Sequence, residues 1–255
     1  MTATPAGMTS ADYLKLDQLL SAQQPLSDLH DEMLFIVIHQ TKELWMKEML
    51  HELKLAIRLV GEDRFAEAYK AMARISRIQA VMTLSWDVLS TLTPVDYLKF
   101  RDVLGTSSGF QSAQFREIEY RLGLKNPAFL EHYAEGSAER AHLEAALDQP
   151  SLREAAIAAL ERAGFDVGDR SVEALAAAWL QVYRDAERWF ELYELAEKLV
   201  DIDDALASWR HKHVLTVERI IGKRRGTGGS AGASYLRSTL DKRIFPELWD
   251  LRTEL

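Results

Sequence analysis

Apolar side chains recur every three or four residues along most of the chain, which is the spacing that places them on one face of an α-helix. From about Asp31 to Val60 the pattern predicts one long helix, which Gly61 would end. A second long helix is predicted from about Arg64 to Leu92. No stretch combines strict alternation with many β-branched residues, so the sequence predicts an all-α fold, a helical bundle with long helices.

The breaks between the predicted helices are marked by proline, glycine and capping residues. Thr93, Pro94 and Gly105 delimit a helix of about three turns. From Ser171 to Ile221 the pattern is helical for longer than an ordinary globular helix. We therefore expect one or two long bundle helices there, with a break near Asp201 to Asp204.

The first residues differ in pattern from the rest of the chain. Residues 1 to 12 are small and polar and are predicted to be a flexible N-terminus, whereas apolar periodicity begins at Tyr13. A length of 255 residues with an apolar fraction of 47% can fill a substantial core. We expect residues 13 to 255 to form a single all-helical domain.

Composition excludes several classes of function. The formal charge of −8 and the scattered Lys and Arg argue against a nucleic-acid binder, which needs a concentrated basic face, so a small-molecule ligand is expected. The chain has no cysteine, which removes disulfides, thiolate nucleophiles, iron–sulfur clusters and covalently attached haem. The densest apolar run, Leu34 to Ile38, is too short to span a bilayer, and a cytoplasmic location is expected.

The seven histidines of the chain are candidate metal ligands. His211 and His213 lie two apart on a predicted helix, so their side chains diverge by about 200 degrees and cannot share one ion. What remains is a single-histidine ligand, as in haem iron that is held by one proximal histidine with its other face open. The alternative is that each histidine is an ordinary polar residue of a helix.

A tyrosine and an arginine, Tyr97 and Arg101, lie four apart on one predicted helix face. A buried arginine there would suit a carboxylate ligand, because a planar guanidinium donates two parallel hydrogen bonds to it. The alternative is a surface ion pair between Arg101 and either Asp96 or Asp102.

Aromatic residues and a glycine-rich loop complete the candidate chemistry. Phe35 and His39 share a helix face at a spacing of four. Tryptophans such as Trp86 and Trp209 could surround a flat cofactor or could simply be core residues. The loop at residues 226–232 could close over a ligand, or could be a flexible linker, and it lacks the spacing of a phosphate-binding loop.

Four segments of the chain resemble the tryptophan 2,3-dioxygenase family, both in their order and in their amino-acid sequence. They are residues 13–25, residues 31–45, residues 100–116 and residues 209–232. The resemblance implies a haem b enzyme with non-covalently bound cofactor, in which long helices enclose the haem pocket. It also implies a homotetramer that uses O2 as co-substrate to open the indole ring of L-tryptophan, giving N-formylkynurenine. In such an assembly Tyr13 would reach the pocket of a neighbouring subunit.

The resemblance also implies roles for individual side chains. His213 matches the proximal ligand of the haem iron, and we expect Trp209 and Trp86 to support it. His39 matches the distal, catalytic histidine that faces the indole nitrogen, with Phe35 beside the ring.

A second group of residues matches the substrate-binding positions of the family. Arg101 matches the arginine that binds the carboxylate, with Tyr97 as its neighbour. Thr227 matches the loop residue that meets the charged end of the substrate, and Ser108 and Gly109 fall in the distal loop close to the haem.

The chain departs from the family pattern at Ser10, where an aromatic residue is usual three positions before the matching tyrosine. This change borders the expected substrate pocket. The alternative to a dioxygenase is a haem-dependent monooxygenase of secondary metabolism, which would insert one oxygen into a substituted tryptophan to give an oxindole. A second alternative is a non-catalytic sensor that binds haem and an indole.

Overall fold

The computed structural model describes residues 7–255, and within that range it contains α-helices and short 3₁₀ helices but no β-strand. The all-α prediction is therefore confirmed. The α-helices are α1 Ser10–Leu14, α2 Leu16–Leu20, α3 His30–Gly61, α4 Phe65–Leu89, α5 Pro94–Phe100, α6 Ala113–Leu122, α7 Ala138–Asp148, α8 Leu152–Arg162, α9 Val172–Arg184, α10 Phe190–Ile221, α11 Ala233–Arg237 and α12 Pro246–Asp250. The 3₁₀ helices are Arg101–Leu104, Gly109–Gln111, Pro127–His132 and Leu251–Thr253.

Three long helices form the centre of the structure. Helices α3 and α10 are each 32 residues long, and α4 packs along both of them. The interface is filled by apolar side chains that recur at helical spacing, such as Leu53, Met72, Ile75, Leu199 and Ile202, all of which are buried. Burying each such side chain contributes roughly 1.5–3 kcal/mol, so this interface fixes how the three helices stand against one another.

Shorter helices surround this centre and begin at serine caps. Helices α6 and α8 pack on α3, and α9 packs against α12. The side chains of Ser112, Ser137, Ser151 and Ser171 each accept a hydrogen bond from the backbone N–H three residues later. Each cap satisfies one N–H that the helix itself leaves unpaired, which stabilises a helix by about 1 kcal/mol. The starts of α6, α7, α8 and α9 are thus set locally by the sequence.

The break predicted near Asp201 to Asp204 is wrong, because α10 runs through these residues without interruption. Asp203 is buried, and its carboxylate accepts hydrogen bonds from the backbone N–H groups of Ile244 at 3.0 Å and Phe245 at 3.1 Å. The indole Nε1 of Trp249 donates to the same oxygen at 3.1 Å. Aspartate is thus accommodated within the helix as the anchor of the C-terminal segment. The chain breaks instead at 185–189, between α9 and α10.

Helical structure begins three residues before the apolar periodicity, at Ser10. Residues 1–6, part of the segment predicted to be flexible, lie outside the described residues. Helix α1 begins at Ser10 and is capped by Thr9, whose hydroxyl accepts from the backbone N–H of Asp12 at 3.1 Å. The side chain of Asp12 accepts in return from the backbone N–H of Thr9, also at 3.1 Å. This reciprocal capping pair explains why a helix starts before Tyr13.

Among the described residues, no helix is long and apolar enough to cross a membrane. The cytoplasmic location expected from the sequence stays a prediction.

Replacement of Asp203 by alanine should lower the free energy of unfolding by about 3 kcal/mol, because it leaves buried N–H donors without an acceptor. Urea denaturation of the purified protein measures this change. The neighbouring Asp204 is exposed, so Asp204→Ala is the matched control and should stay within about 0.5 kcal/mol of the parent. Equal effects of the two substitutions would contradict the anchoring role of Asp203.

Candidate functional site

A cavity of about 700 Å³ lies between α3, α4 and α10, and the segment 103–112 and the glycine-rich loop 226–232 cover part of it. Its volume falls in the range of sites for small organic ligands and cofactors. Much of its wall is apolar and aromatic, and the polar groups on it come from different elements. The long-helix bundle therefore encloses a pocket, as expected from the resemblance.

His39 reaches this cavity from α3. Its Nδ1 lies 2.7 Å from the backbone carbonyl oxygen of Phe35, one turn earlier. A carbonyl can only accept, so Nδ1 carries the hydrogen and the lone pair is left on Nε2. Burial lowers the pKa of His39, with a smaller contribution from the positive charge of Lys42. The ring is thus a neutral imidazole that can accept a hydrogen bond from a ligand.

His213 reaches the same cavity from α10. Burial lowers its pKa to about 3, and the nearby Lys42 and His39 act in the same direction. The imidazole is therefore uncharged at neutral pH and keeps a nitrogen lone pair available for a metal. By contrast, His211 is exposed, and its Nδ1 lies 2.9 Å from the carbonyl oxygen of Ala207. In the described residues, no group of three or more His, Cys, Asp or Glu side chains could hold a metal ion.

Two tryptophans hold the His213 ring. The ring stacks on Trp86 with centroids 4.3 Å apart and an interplanar angle of 10°. Trp209, one turn earlier on α10, lies 5.2 Å from the imidazole and 5.6 Å from the Trp86 ring. Phe115 of α6 stacks on Trp209 from 5.0 Å. These contacts fix the orientation of the imidazole, and both tryptophans named from the sequence meet here.

Phe35 is the centre of an aromatic cluster on the α3 and α5 side of the cavity. Its ring lies 4.2 Å from His39, 6.0 Å from Tyr97 and 5.9 Å from Phe100. Tyr97 is buried, and this burial raises its pKa, so the phenol is protonated at neutral pH. The structure thus brings Phe35, His39 and Tyr97 together beside one pocket.

The two covering segments contact each other closely. The hydroxyl of Thr227 donates to the carbonyl oxygen of Ser107. Gly228 passes so close to the opposite segment that a Cβ added to it would lie 2.5 Å from the Cβ of Ser108. Only glycine permits this approach. Ser108, Gly109 and Thr227 all line the cavity, at its cover.

Arg101 and Tyr13 are not among the described residues that line the cavity. The guanidinium of Arg101 donates to the carbonyl oxygen of Arg225, just before the glycine-rich loop. Asp96 pairs with Lys99 at 2.9 Å and not with Arg101. Tyr13 lies on α1 with 74% of its surface exposed. Arg101 is therefore next to the cover, whereas Tyr13 faces outward from its own chain.

Several polar residues of the cavity were missed by the sequence analysis. Lys42 is only 5% exposed and places its Nζ 2.8 Å from the centroid of the Trp86 ring. At another part of the wall, the buried Arg210 donates to Glu119 at 3.0 Å and to the carbonyl oxygen of Lys242 at 2.6 Å. Arg116 also pairs with Glu119. Lys42 could have been found because it follows His39 by three positions on the same helix.

Some buried polar atoms of the wall have no hydrogen-bond partner among the described residues. They are Lys42 Nζ, the Nε1 atoms of Trp86 and Trp209, and Thr216 Oγ1. Nearly all buried polar groups in folded proteins have a partner, so several such atoms around one cavity indicate a place for a ligand with acceptor groups. The Nε of Arg116 also has no hydrogen-bond partner among the described residues. The donors outnumber the acceptors, which favours an anionic ligand.

The model of the tryptophan 2,3-dioxygenase family matches residues 1–169 and 163–255 of the chain. A tryptophan 2,3-dioxygenase of Caulobacter vibrioides is 62% identical over 259 aligned positions, covering 97% of this chain and 98% of that protein. The tryptophan 2,3-dioxygenase of Bacillus cereus is 53% identical, covering 97% of this chain and 93% of that protein. That of Polaromonas naphthalenivorans is 50% identical. The resemblance seen in the four segments is thereby confirmed, and the chain belongs to the tryptophan 2,3-dioxygenase family.

Proposed function

We propose that this chain catalyses the reaction after which its family is named, the opening of the indole 2,3-bond of L-tryptophan by dioxygen to give N-formylkynurenine, with haem b as a non-covalent cofactor. The observation that carries the proposal is the meeting of two neutral histidines, His39 of α3 and His213 of α10, on the wall of one cavity. One can ligate a metal while the other can accept a hydrogen bond from the substrate.

The donor set of the cavity fits haem b. His213 offers an uncharged imidazole in a wall of aromatic rings and would hold the iron of the haem. Buried guanidinium groups on the same wall, those of Arg116 and Arg210, could neutralise the two carboxylates of the cofactor. When bound, haem supplies an iron that binds and activates dioxygen.

His39 is proposed to orient the indole ring. Its Nε2 carries the free lone pair, because Nδ1 is bound to the carbonyl oxygen of Phe35. An indole N–H can only donate, so the two groups are complementary. The ring of Phe35, 4.2 Å from His39, provides an apolar surface against which the indole would lie. Fixing the ring in this way selects the bond that meets the oxidant, a positioning role.

The cover of the cavity is proposed to bind the charged end of the amino acid. Arg101 and Thr227 both donate to main-chain carbonyl oxygens at the junction of the two covering segments. A carboxylate is a stronger acceptor than a carbonyl, so the substrate can replace these contacts. Ser108 and Gly109 belong to the same cover. Closure of the segments over the substrate would exclude water from the reacting atoms.

We also propose that the chain assembles with copies of itself as a homotetramer. Large apolar side chains are exposed along the N-terminal helices and the first half of α3, namely Tyr13, Leu14, Leu19, Leu20, Leu29, Met33, Val37, Leu44 and Trp45. Exposed apolar surface of this kind favours a protein interface. Tyr13 lies outside the cavity of its own chain, so it is proposed to contact the pocket of a neighbouring subunit.

The proposed activity is tested by loading the protein with haem, reducing the iron and adding L-tryptophan with ¹⁸O-labelled dioxygen. We expect the absorbance of N-formylkynurenine and a product that carries two labelled oxygen atoms. No external reductant should be consumed, because both atoms of dioxygen enter the product. A product with one labelled atom, or binding without turnover, would reject the proposal.

His39→Ser should lower kcat/KM by about tenfold, because it removes one orienting hydrogen bond and each 1.4 kcal/mol changes a rate by that factor. Steady-state kinetics of the haem-loaded enzyme measures the loss. His211→Ser is the matched control, since His211 is exposed on α10, and it should leave kcat/KM unchanged. Complete loss of turnover by His39→Ser, with haem and substrate still bound, would contradict a positioning role.

A further inference from the structure

Lys42 is a buried cation to which the family resemblance assigns no role. Its side chain lies on the cavity wall and is 5% exposed. The ammonium nitrogen has no hydrogen-bond partner among the described residues. A buried lysine of this kind is unfavourable unless something in the pocket or on its wall compensates it.

The compensation visible on the wall is the ring of Trp86. The Lys42 Nζ lies 2.8 Å from the ring centroid, a cation–π arrangement. Such a contact stabilises the charged form by about 2 kcal/mol when it is desolvated. Burial lowers the pKa of Lys42 to about 6, so the ammonium form prevails below that pH. Attraction to the face of the ring acts in the opposite direction and favours the charged form.

Trp86 connects this charge to the proposed iron ligand. The same indole stacks on the His213 imidazole, with centroids 4.3 Å apart and planes 10° from parallel. The charge of Lys42 also lowers the pKa of His213, as expected of a cation within electrostatic reach of it. The field of the ammonium therefore extends to the place where the iron would be held.

We propose that Lys42 is a positioning residue that, through Trp86, favours the reduced form of the iron held by His213. The inference rests on the proposed function, because it requires haem in this cavity. Ferric iron carries one positive charge more than ferrous iron, so a nearby buried cation disfavours the ferric form. Ferrous iron is the state that binds dioxygen, and Lys42 thus keeps the enzyme ready for its co-substrate.

The test compares charge with shape in the haem-loaded protein. Lys42→Met retains most of the side-chain length and removes the charge, whereas Lys42→Arg retains the charge and changes the shape. Lys47 is exposed to solvent on the same helix. Lys47→Met therefore removes an equal charge at a position where water screens it, and it serves as the control. The readouts are the midpoint potential by spectroelectrochemical titration, the haem dissociation constant and the iron–histidine stretching band of the ferrous protein. All three are measured below pH 6, where Lys42 carries its charge despite its lowered pKa.

Lys42→Met should shift the ratio of ferric to ferrous haem at a fixed potential about tenfold toward ferric, which is a midpoint lower by about 59 mV for one electron. Lys42→Arg and Lys47→Met should keep midpoints close to that of the parent. If Lys42→Met does not fold, Lys42→Gln, a polar but uncharged replacement, should give the same shift.

Three outcomes would overturn the inference. The first is an unchanged midpoint in Lys42→Met with haem bound. The second is an equal shift in Lys42→Met and Lys42→Arg, which would mean that packing and not charge is responsible. The third is weaker haem binding without a change in midpoint, which would make Lys42 an anchor for a carboxylate of the cofactor. Failure of the parent protein to bind haem would instead reject the proposed function itself, and the inference with it.

Discussion

Burial keeps the His213 imidazole uncharged, because a protonated ring would lose its hydration inside the apolar wall of the cavity. The chemistry proposed for the site depends on this, since only the neutral ring has a lone pair for iron. Stacking on Trp86 and contact with Trp209 then fix the direction of that lone pair. The long helices serve this arrangement: α4 carries Trp86, α10 carries Trp209 and His213, and α4 packs along α10.

The remaining features of the site follow from the same closed bundle. Helix α3, which also packs on α4, brings His39 and Lys42 to the cavity one helical turn apart. Low accessibility strengthens the electrostatic influence of Lys42, because water does not screen it. Thr216 Oγ1, on the same wall, has no hydrogen-bond partner among the described residues and is available to a ligand. The fold is thus stable while the polar groups of the pocket remain available to a ligand.

The sequence predicted the long helices well because their stabilising contacts repeat at helical spacing. The helix predicted from about Asp31 to Val60 is observed as His30–Gly61, within one residue at each end. The break near Asp203 was misplaced because the partners of that carboxylate, the backbone at 244–245 and Trp249, are more than 40 residues away in the chain. A group of acidic residues indicates a helix break only where no tertiary contact satisfies the carboxylates.

The structure brings candidate site residues into contact where neighbours in the chain are neighbours in space. Phe35 and His39, four apart on one helix, are in contact, and His213 meets Trp209 one turn away. Lys42 was missed because a lysine is expected in water, and only the three-dimensional structure shows Trp86 beneath it. The placement of Arg101 beside the cover depends on a loop more than 100 residues later, which spacing could not reveal.

The function proposed for the site requires that one neutral histidine, His213, holds the cofactor. Its most direct test is the absorption and resonance Raman spectrum of His213→Gly loaded with haem, before and after addition of free imidazole. We predict that the substitution abolishes the ferrous iron–histidine band and that imidazole, entering the space left by the side chain, restores it. A variant that keeps the band without imidazole would contradict the claim, because another residue would then ligate the iron.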